Sequence, residues 1–207
     1  MTRVQICSIR ICGVRHAPTR CVCDKMKMPA PTLIDGVVQL DEFVAGDVDA
    51  HLANEDDEMA RRFGWWPKRS TAHNVRAAFE RWAESWASGG SVRAFAVREV
   101  ATATLVGSCE LRLEDDQIAR ASYSIGPHAR RRGFASRALG LVTRWAFDCL
   151  DIARVELYIE PDNTASRGVA RRCGFREEGV LRGRIRIGDS RHDAVLCARL
   201  ATDRDDE

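Results

Sequence analysis

The chain has 207 residues, 45% of them hydrophobic and 30% charged, with a formal net charge of +2. That length and balance suit a soluble globular domain able to bury a substantial core without disulfides or metal. No uncharged apolar run approaches the roughly eighteen residues of a membrane span, and so small a net charge gives no whole-molecule pull toward nucleic acid or an anionic membrane.

The near-neutral total hides an asymmetry. Residues 1–28 hold six Lys/Arg against one acid, Asp24, which leaves residues 29–207 mildly acidic. Arg10 and Arg15 interrupt the apolar residues of this segment, so it lacks the core of a secretory signal. Through residue 23 it is Arg-bearing and acid-free, the composition of an organelle transit peptide. Its Cys7, Cys12, Cys21, Cys23 and His16 match no zinc-site spacing. Residues 1–31 are expected to be a disordered basic extension, with Met28 as an alternative start of translation. A single domain over 32–203 and an acidic tail over 204–207 follow. Cys109, Cys149, Cys173 and Cys197 are scattered singly and read as small buried hydrophobes in a reducing, cytoplasmic setting.

In chain order, residues 37–43 read as a strand ended by Gly46. Asp47 is expected to cap a short helix running to about residue 60. After the loop 63–67, Ser70 or Thr71 caps a long helix. There Val75, Ala78, Phe79, Trp82, Ala83 and Trp86 recur at helical spacing until Gly89-Gly90 stops it. Strands over 92–97, 104–113 and 118–125 form an antiparallel meander, turning at Glu114-Asp115-Asp116. A third helix carries Ala138, Val142, Trp145 and Cys149 on one stripe. A strand over 154–159, a short helix over 163–172 and two strands near 176–187 and 192–200 complete an α/β domain with a mixed sheet.

The chemistry concentrates between Ser124 and Leu139. A strand ends at Gly126-Pro127, three arginines follow, and Gly133-Phe134-Ala135 opens a helix. The first turn of a helix has unpaired N–H groups and the positive end of the dipole. Small residues let a ligand approach that backbone, so the segment suits a pyrophosphate.

The spacing Arg130-x-x-Gly133-x-Ala135 resembles the acyl-CoA pyrophosphate loop of the GCN5-related N-acetyltransferase (GNAT) family. Downstream, Asn163-Thr-Ala-Ser166, Cys173-Gly174-Phe175, Glu178-Gly179-Val180-Leu181-Arg182 and the strand from Asp193 to Leu200 resemble its RimJ/RimL-like branch, and the likeness covers about residues 34–203. It implies a mostly antiparallel mixed sheet of six to seven strands flanked by about four helices. The fourth (118–125) and fifth (154–159) strands would splay apart. Acetyl-CoA would be the co-substrate, and no metal would be needed. Its pantetheine arm would lie along Tyr123, Ser124 and Ile125 and bond Asn163, the cap of the following helix. Its pyrophosphate would rest on Arg130, Arg131, Arg132, Gly133, Phe134, Ala135 and Ser136.

The chain departs from the family where catalysis is concerned. Many members have a tyrosine at the position of Ala170 to protonate the leaving thiolate, and the branch commonly has a glutamate where Arg120 stands. Ser166 occupies the position that the branch uses near the thiol, and Tyr158 is the alternative proton source. Glu156, Tyr158 and Glu160 share one strand face, so Glu160 is a candidate base, with Glu110 the other. Phe63, Trp65 and Trp66 fall where the family builds its acceptor cleft and would stack on a peptide or amine. His73, His128 and His192 stand isolated. The clusters Arg130–Arg132 and Arg171-Arg172 lack the interleaved aromatics of a nucleic-acid site.

The expected activity is direct transfer of acetyl from acetyl-CoA to a primary amine, such as a protein N-terminal α-amine. Acetylation of a small amine or antibiotic, and a CoA-binding regulator without catalysis, are the alternatives. The partners expected are acyl-CoA and the amine, with no nucleic acid or membrane, in a monomer or homodimer.

Overall fold

The computed structural model describes residues 29–64 and 69–203. The expected tail, all but the last three residues of the expected extension, and Trp65 and Trp66 lie outside the described residues. Ala30 and Leu33 pack against the main core, so the folded part is already in contact with it two residues ahead of the expected boundary.

Eight strands form one sheet: β1 (Leu33–Ile34), β2 (Val38–Asp41), β3 (Val92–Glu99), β4 (Leu105–Leu113), β5 (Ile118–Ile125), β6 (Arg154–Ile159), β7 (Arg176–Ile187) and β8 (Ser190–Leu200). Their spatial order is β1-β2-β3-β4-β5-β6-β8-β7. Every neighbouring pair is antiparallel except β5 and β6. The mostly antiparallel mixed sheet matches the expectation. The added β1 is two residues long, too short to leave an alternation in the sequence, and it makes the expected fourth and fifth strands β5 and β6.

Five α-helices cover the sheet: α1 (Val48–Ala53), α2 (Asp57–Arg62), α3 (Ala72–Ser88), α4 (Phe134–Cys149) and α5 (Thr164–Arg172). Alternation along β3 divides the core. Ala94 and Ala96 join Phe43, Val75 and Phe79 on the α3 face, and Phe95 and Val97 join Leu139, Val142 and Trp145 on the α4 face. Thr71 caps α3, its hydroxyl accepting from the Asn74 N–H at 3.2 Å, and Gly89 ends it in the left-handed region at φ 74°. Trp86 buries its ring and donates its indole N–H to the Ala94 carbonyl at 3.0 Å.

Three expectations need correction. The single helix near residue 60 is two short ones, α1 and α2. Between them the chain turns to bury Asn54, and Asp56 caps α2 by accepting from the Met59 N–H at 2.9 Å. Asp47 does not cap with its side chain. Its carboxylate turns back to accept from the Val44 N–H and from both terminal nitrogens of Arg98 at 2.7 Å. Cys149 is also exposed rather than buried, because it is the last residue of α4.

The pair Asp47–Arg98 fastens the segment ahead of α1 to β3. Burial works against ionisation of Asp47, but the hydrogen bonds from Arg98 and Val44 outweigh it and hold the carboxyl below its ordinary range. A carboxyl depressed in the folded state stabilises above its unfolded pKa near 3.9, and that contribution fades as pH falls through the depressed value. We expect Asp47→Asn to remove about 2 kcal/mol of stability at pH 7. Urea unfolding at pH 7 and pH 3 should show the deficit shrinking at the lower pH.

Candidate active site

The site begins where a strand pair fails. β5 and β6 are in register only at Ile118↔Arg154, Ala119↔Val155 and Arg120↔Glu156. Beyond Arg120 the strands separate, and a cavity of about 740 Å³ opens between them. The divergence has local causes. Val97 faces Gly107 and Arg98 faces Leu105, so Val106 is an extra residue that bulges β4. Its carbonyl then accepts from the Gly126 N–H at 2.9 Å as β5 ends. Gly126 sits so close to Asn54 that a Cβ would stand 1.8 Å from the Asn54 side-chain oxygen. Pro127 follows and ends the pairing.

The turn from β5 into α4 forms a backbone cradle. Arg131 has φ 64° and Gly133 has φ 83°, flanking Arg132. Such alternation turns successive N–H groups toward one concavity, and the first turn of α4 adds its own. A Cβ on Gly133 would meet nothing within 4 Å, so the backbone there is open to a ligand. The three arginines have different environments. Arg130 is a strut: it donates to the Ile125 carbonyl at 3.1 Å and pairs with Asp56 at 2.7 Å and Glu58 at 3.2 Å. Arg131 lines the cavity with Gly133, Phe134, Ala135 and Ser136. Arg132 is not among the lining residues; it pairs with Glu99 and lies over the Phe134 ring.

Arg171 and Arg172 of α5 line the cavity as well. In the sequence they stand only as a charge cluster. Their signal was helical spacing, since Thr164, Gly168, Arg171 and Arg172 fall at i, i+4, i+7 and i+8. Arg172 also reaches the first turn of α4, donating to the Ser136 hydroxyl at 3.2 Å.

At the other end of the cavity, Asn163 caps α5 by accepting from the Ser166 N–H at 3.1 Å. Tyr123, on β5, donates its phenol to the Ser166 hydroxyl at 3.1 Å and to the Ser166 carbonyl at 3.3 Å. Burial is the main cause that pushes the Tyr123 pKa up to about 12. Ser124 bonds the Ser108 hydroxyl at 2.8 Å on the opposite face of the strand.

The candidate bases are all engaged. Glu160 accepts from Arg62 at 2.7 Å and lies 3.6 Å from the His192 Nδ1, so His192 is not isolated. Tyr158 donates to Glu156 at 2.7 Å, and Arg154 holds the other Glu156 oxygen at 2.6 Å. The guanidinium of Arg184 lies 4.4 Å from the centre of the Tyr158 ring, and that of Arg120 lies 5.5 Å from it. Glu110 pairs with Arg112 at 3.1 Å and does not line the cavity. Phe63 lines it and is 46% exposed. Tyr123 shares the α4 face with the buried Ala119, Ala121 and Ile125, whereas alternation puts Tyr158 on the other face from the buried Leu157 and Ile159. Ser166 and Tyr158 therefore approach the gap from opposite sides. Among the described residues no cluster of three His, Cys, Asp or Glu could hold a metal, and no helix is long and apolar enough to cross a membrane.

An elongated ligand with a diphosphate at one end and amides along its arm fits this shape, with the cradle for the first and open strand edges for the second. Comparison with known proteins agrees. A family model described as an acetyltransferase (GNAT) domain matches residues 38–176. The uncharacterized N-acetyltransferase p20 of Bacillus licheniformis is 30% identical over 95 residues, 45% of this chain and 53% of that protein. The chain thus spans about half the length of that curated relative. The fold resembles a ribosomal-protein-S5-alanine acetyltransferase from Vibrio fischeri (TM-score 0.69, 18% identity, 84% of this chain and 98% of that one). It also resembles a spermidine N-acetyltransferase from Vibrio cholerae in complex with CoA and spermine (TM-score 0.68, 19% identity, 81% and 98%). With its splayed strands, its cradle and a family match over most of its length, the chain belongs to the GNAT acetyltransferase family.

Proposed function

We propose that the protein transfers acetyl from acetyl-CoA directly to an α-amine, in the manner of an enzyme acting on protein N-termini. What carries this reading is the charge of the cavity. Its carboxylates are Glu58 and Glu160, and each already pairs with an arginine. Arg131, Arg171 and Arg172 line it as well. Such a wall favours the phosphates of CoA and offers a polyamine no unengaged carboxylate.

Among the described residues it also offers no unengaged base. A free α-amine, with a pKa near 7.8, costs about 1 kcal/mol to deprotonate at pH 7, whereas a lysine amine near 10.4 costs about 4–5 kcal/mol. A site without a dedicated base therefore suits the α-amine. In the proposed reaction the pyrophosphate rests on the N–H groups from Arg131 to Ser136 and the pantetheine lies along Tyr123, Ser124, Ile125 and Asn163. The neutral amine attacks the thioester carbon, and β5 backbone N–H groups stabilise the developing oxyanion. The C–S bond breaks, sulfur takes the electron pair, and Ser166 gives it a proton that the amine side restores. Phe63, which lines the cavity, would flank the acceptor.

Three measurements test this. At Gly133 the backbone is left-handed and open, so a larger residue is strained and projects into the cradle. Gly133→Glu should lower acetyl-CoA affinity at least about a hundredfold by calorimetry while the circular dichroism spectrum stays native; unchanged affinity would remove the cradle from the donor site. General-acid help is typically worth about 10²–10⁴-fold. Ser166→Ala should accordingly lower kcat at least about tenfold with little change in the acetyl-CoA KM. Tyr158→Phe should do less, because that phenol is committed to Glu156. If instead Tyr158→Phe is dead and Ser166→Ala turns over normally, the proton comes from the strand. Finally, thiol release should be at least about tenfold more efficient with N-terminal peptides than with spermidine, and a preference for spermidine would reject the α-amine assignment.

A further inference from the structure

Ser166 does not stand alone in the cavity. Its backbone N–H is held by Asn163 at 3.1 Å, and its hydroxyl and carbonyl oxygens are both held by the Tyr123 phenol, at 3.1 and 3.3 Å. The phenol has one proton, shared between those two acceptors as a three-centre bond. Tyr123 belongs to β5 and Ser166 to α5, so this contact bridges the two sides of the gap in which the thioester would lie.

A serine hydroxyl rotates freely about its C–O bond and has one proton to give. When one lone pair accepts from a fixed donor, the serine's own proton must point elsewhere. Ser166 lines the cavity. We propose that Tyr123 is a positioning residue for acyl transfer: its phenol fixes the Ser166 hydroxyl as an acceptor on the buried side, so that the Ser166 proton is directed at the departing sulfur. The idea rests on the reading of Ser166 as the proton donor and adds what aims it.

The chemistry separates positioning from proton supply. The Tyr123 proton is already committed to the two Ser166 oxygens, whereas the Ser166 proton is left to turn into the cavity. Tyr123 therefore keeps its proton throughout. As the C–S bond breaks with its electron pair going to sulfur, the Ser166 proton passes to that sulfur in concert with the proton that the amine loses reaching Ser166 through water, so no serine alkoxide is left. Atoms and charge balance without any net change at Tyr123. Nothing in the spacing of Tyr123 from Ser166, 43 residues away, marks the contact in the sequence.

Tyr123→Phe keeps the ring and removes the donor. In steady-state acetyl transfer to an N-terminal peptide, it should lower kcat about five- to tenfold, with acetyl-CoA KM and calorimetric affinity unchanged. Because it acts through Ser166, the double variant with Ser166→Ala should be no slower than Ser166→Ala alone. A Tyr123→Phe enzyme at wild-type kcat beside a slow Ser166→Ala would overturn the positioning role and leave the serine reading intact. Multiplying effects in the double variant would place Tyr123 on another step and also overturn it. A Ser166→Ala enzyme at wild-type speed would remove both. Should Tyr123→Phe lose its native circular dichroism, Tyr123→His, which keeps a ring donor, must recover kcat above an equally destabilised Tyr123→Leu, and failure to do so would count against the proposal.

Discussion

Two parallel strands that pair over only three residues leave their remaining facing N–H and C=O groups to be satisfied by something other than the sheet. Unpaired backbone groups are costly when buried and harmless when they meet water or a ligand. The protein therefore surrounds β5 and β6 with elements that keep the gap open. The β4 bulge at Val106 and the tight contact of Gly126 with Asn54 turn β5 away, while β8 holds β6 along its whole length. The helices on either side of the gap, α4 and α5, each present an N-terminal turn beside it. Strand, turn and helix thus supply a line of backbone donors and acceptors that suits a molecule carrying amides and phosphates.

Charge is distributed to the same end. The protein uses some arginines as fasteners and others to line the cavity, and Arg130 belongs to both sets. Arg98 and Arg130 are enclosed by carboxylates and hold segments together; Arg130 ties α2 to the phosphate turn, which fixes the wall of the cavity on that side. Arg131, Arg171 and Arg172 line the opening, where their charge suits an anionic ligand. Paired acids keep the fasteners in place, so the field inside the cavity stays positive although the body of the chain is mildly acidic.

Much of this was legible in the sequence because it depends on backbone conformation and local periodicity. Pro127 and Gly133 announce a strand end and a helix start, Asn163 announces a cap, and the alternation of 118–125 announces a strand. What was not legible depends on contacts between distant segments. The division of α1 from α2 follows from Asn54 packing on Gly126, and the commitment of Glu160 follows from Arg62, 98 residues away. Asp47 reads as a cap because Asp before a helix usually is one, but the half-buried guanidinium of Arg98 is the stronger partner. The roles of the three consecutive arginines could not be separated from composition, since only the left-handed turn at Arg131 and the acids around Arg130 distinguish them.

On the proposed function, the unpaired edge of β5 and the turn that follows it are the donor's binding surface. Hydrogen–deuterium exchange with and without acetyl-CoA reads this directly, because each amide reports its own protection. Acetyl-CoA should slow exchange across 122–125 and 131–136 and leave the outer edge strand, β7, unchanged. Protection confined to β7 and β8, with 122–125 and 131–136 exchanging at their free rates, would contradict it.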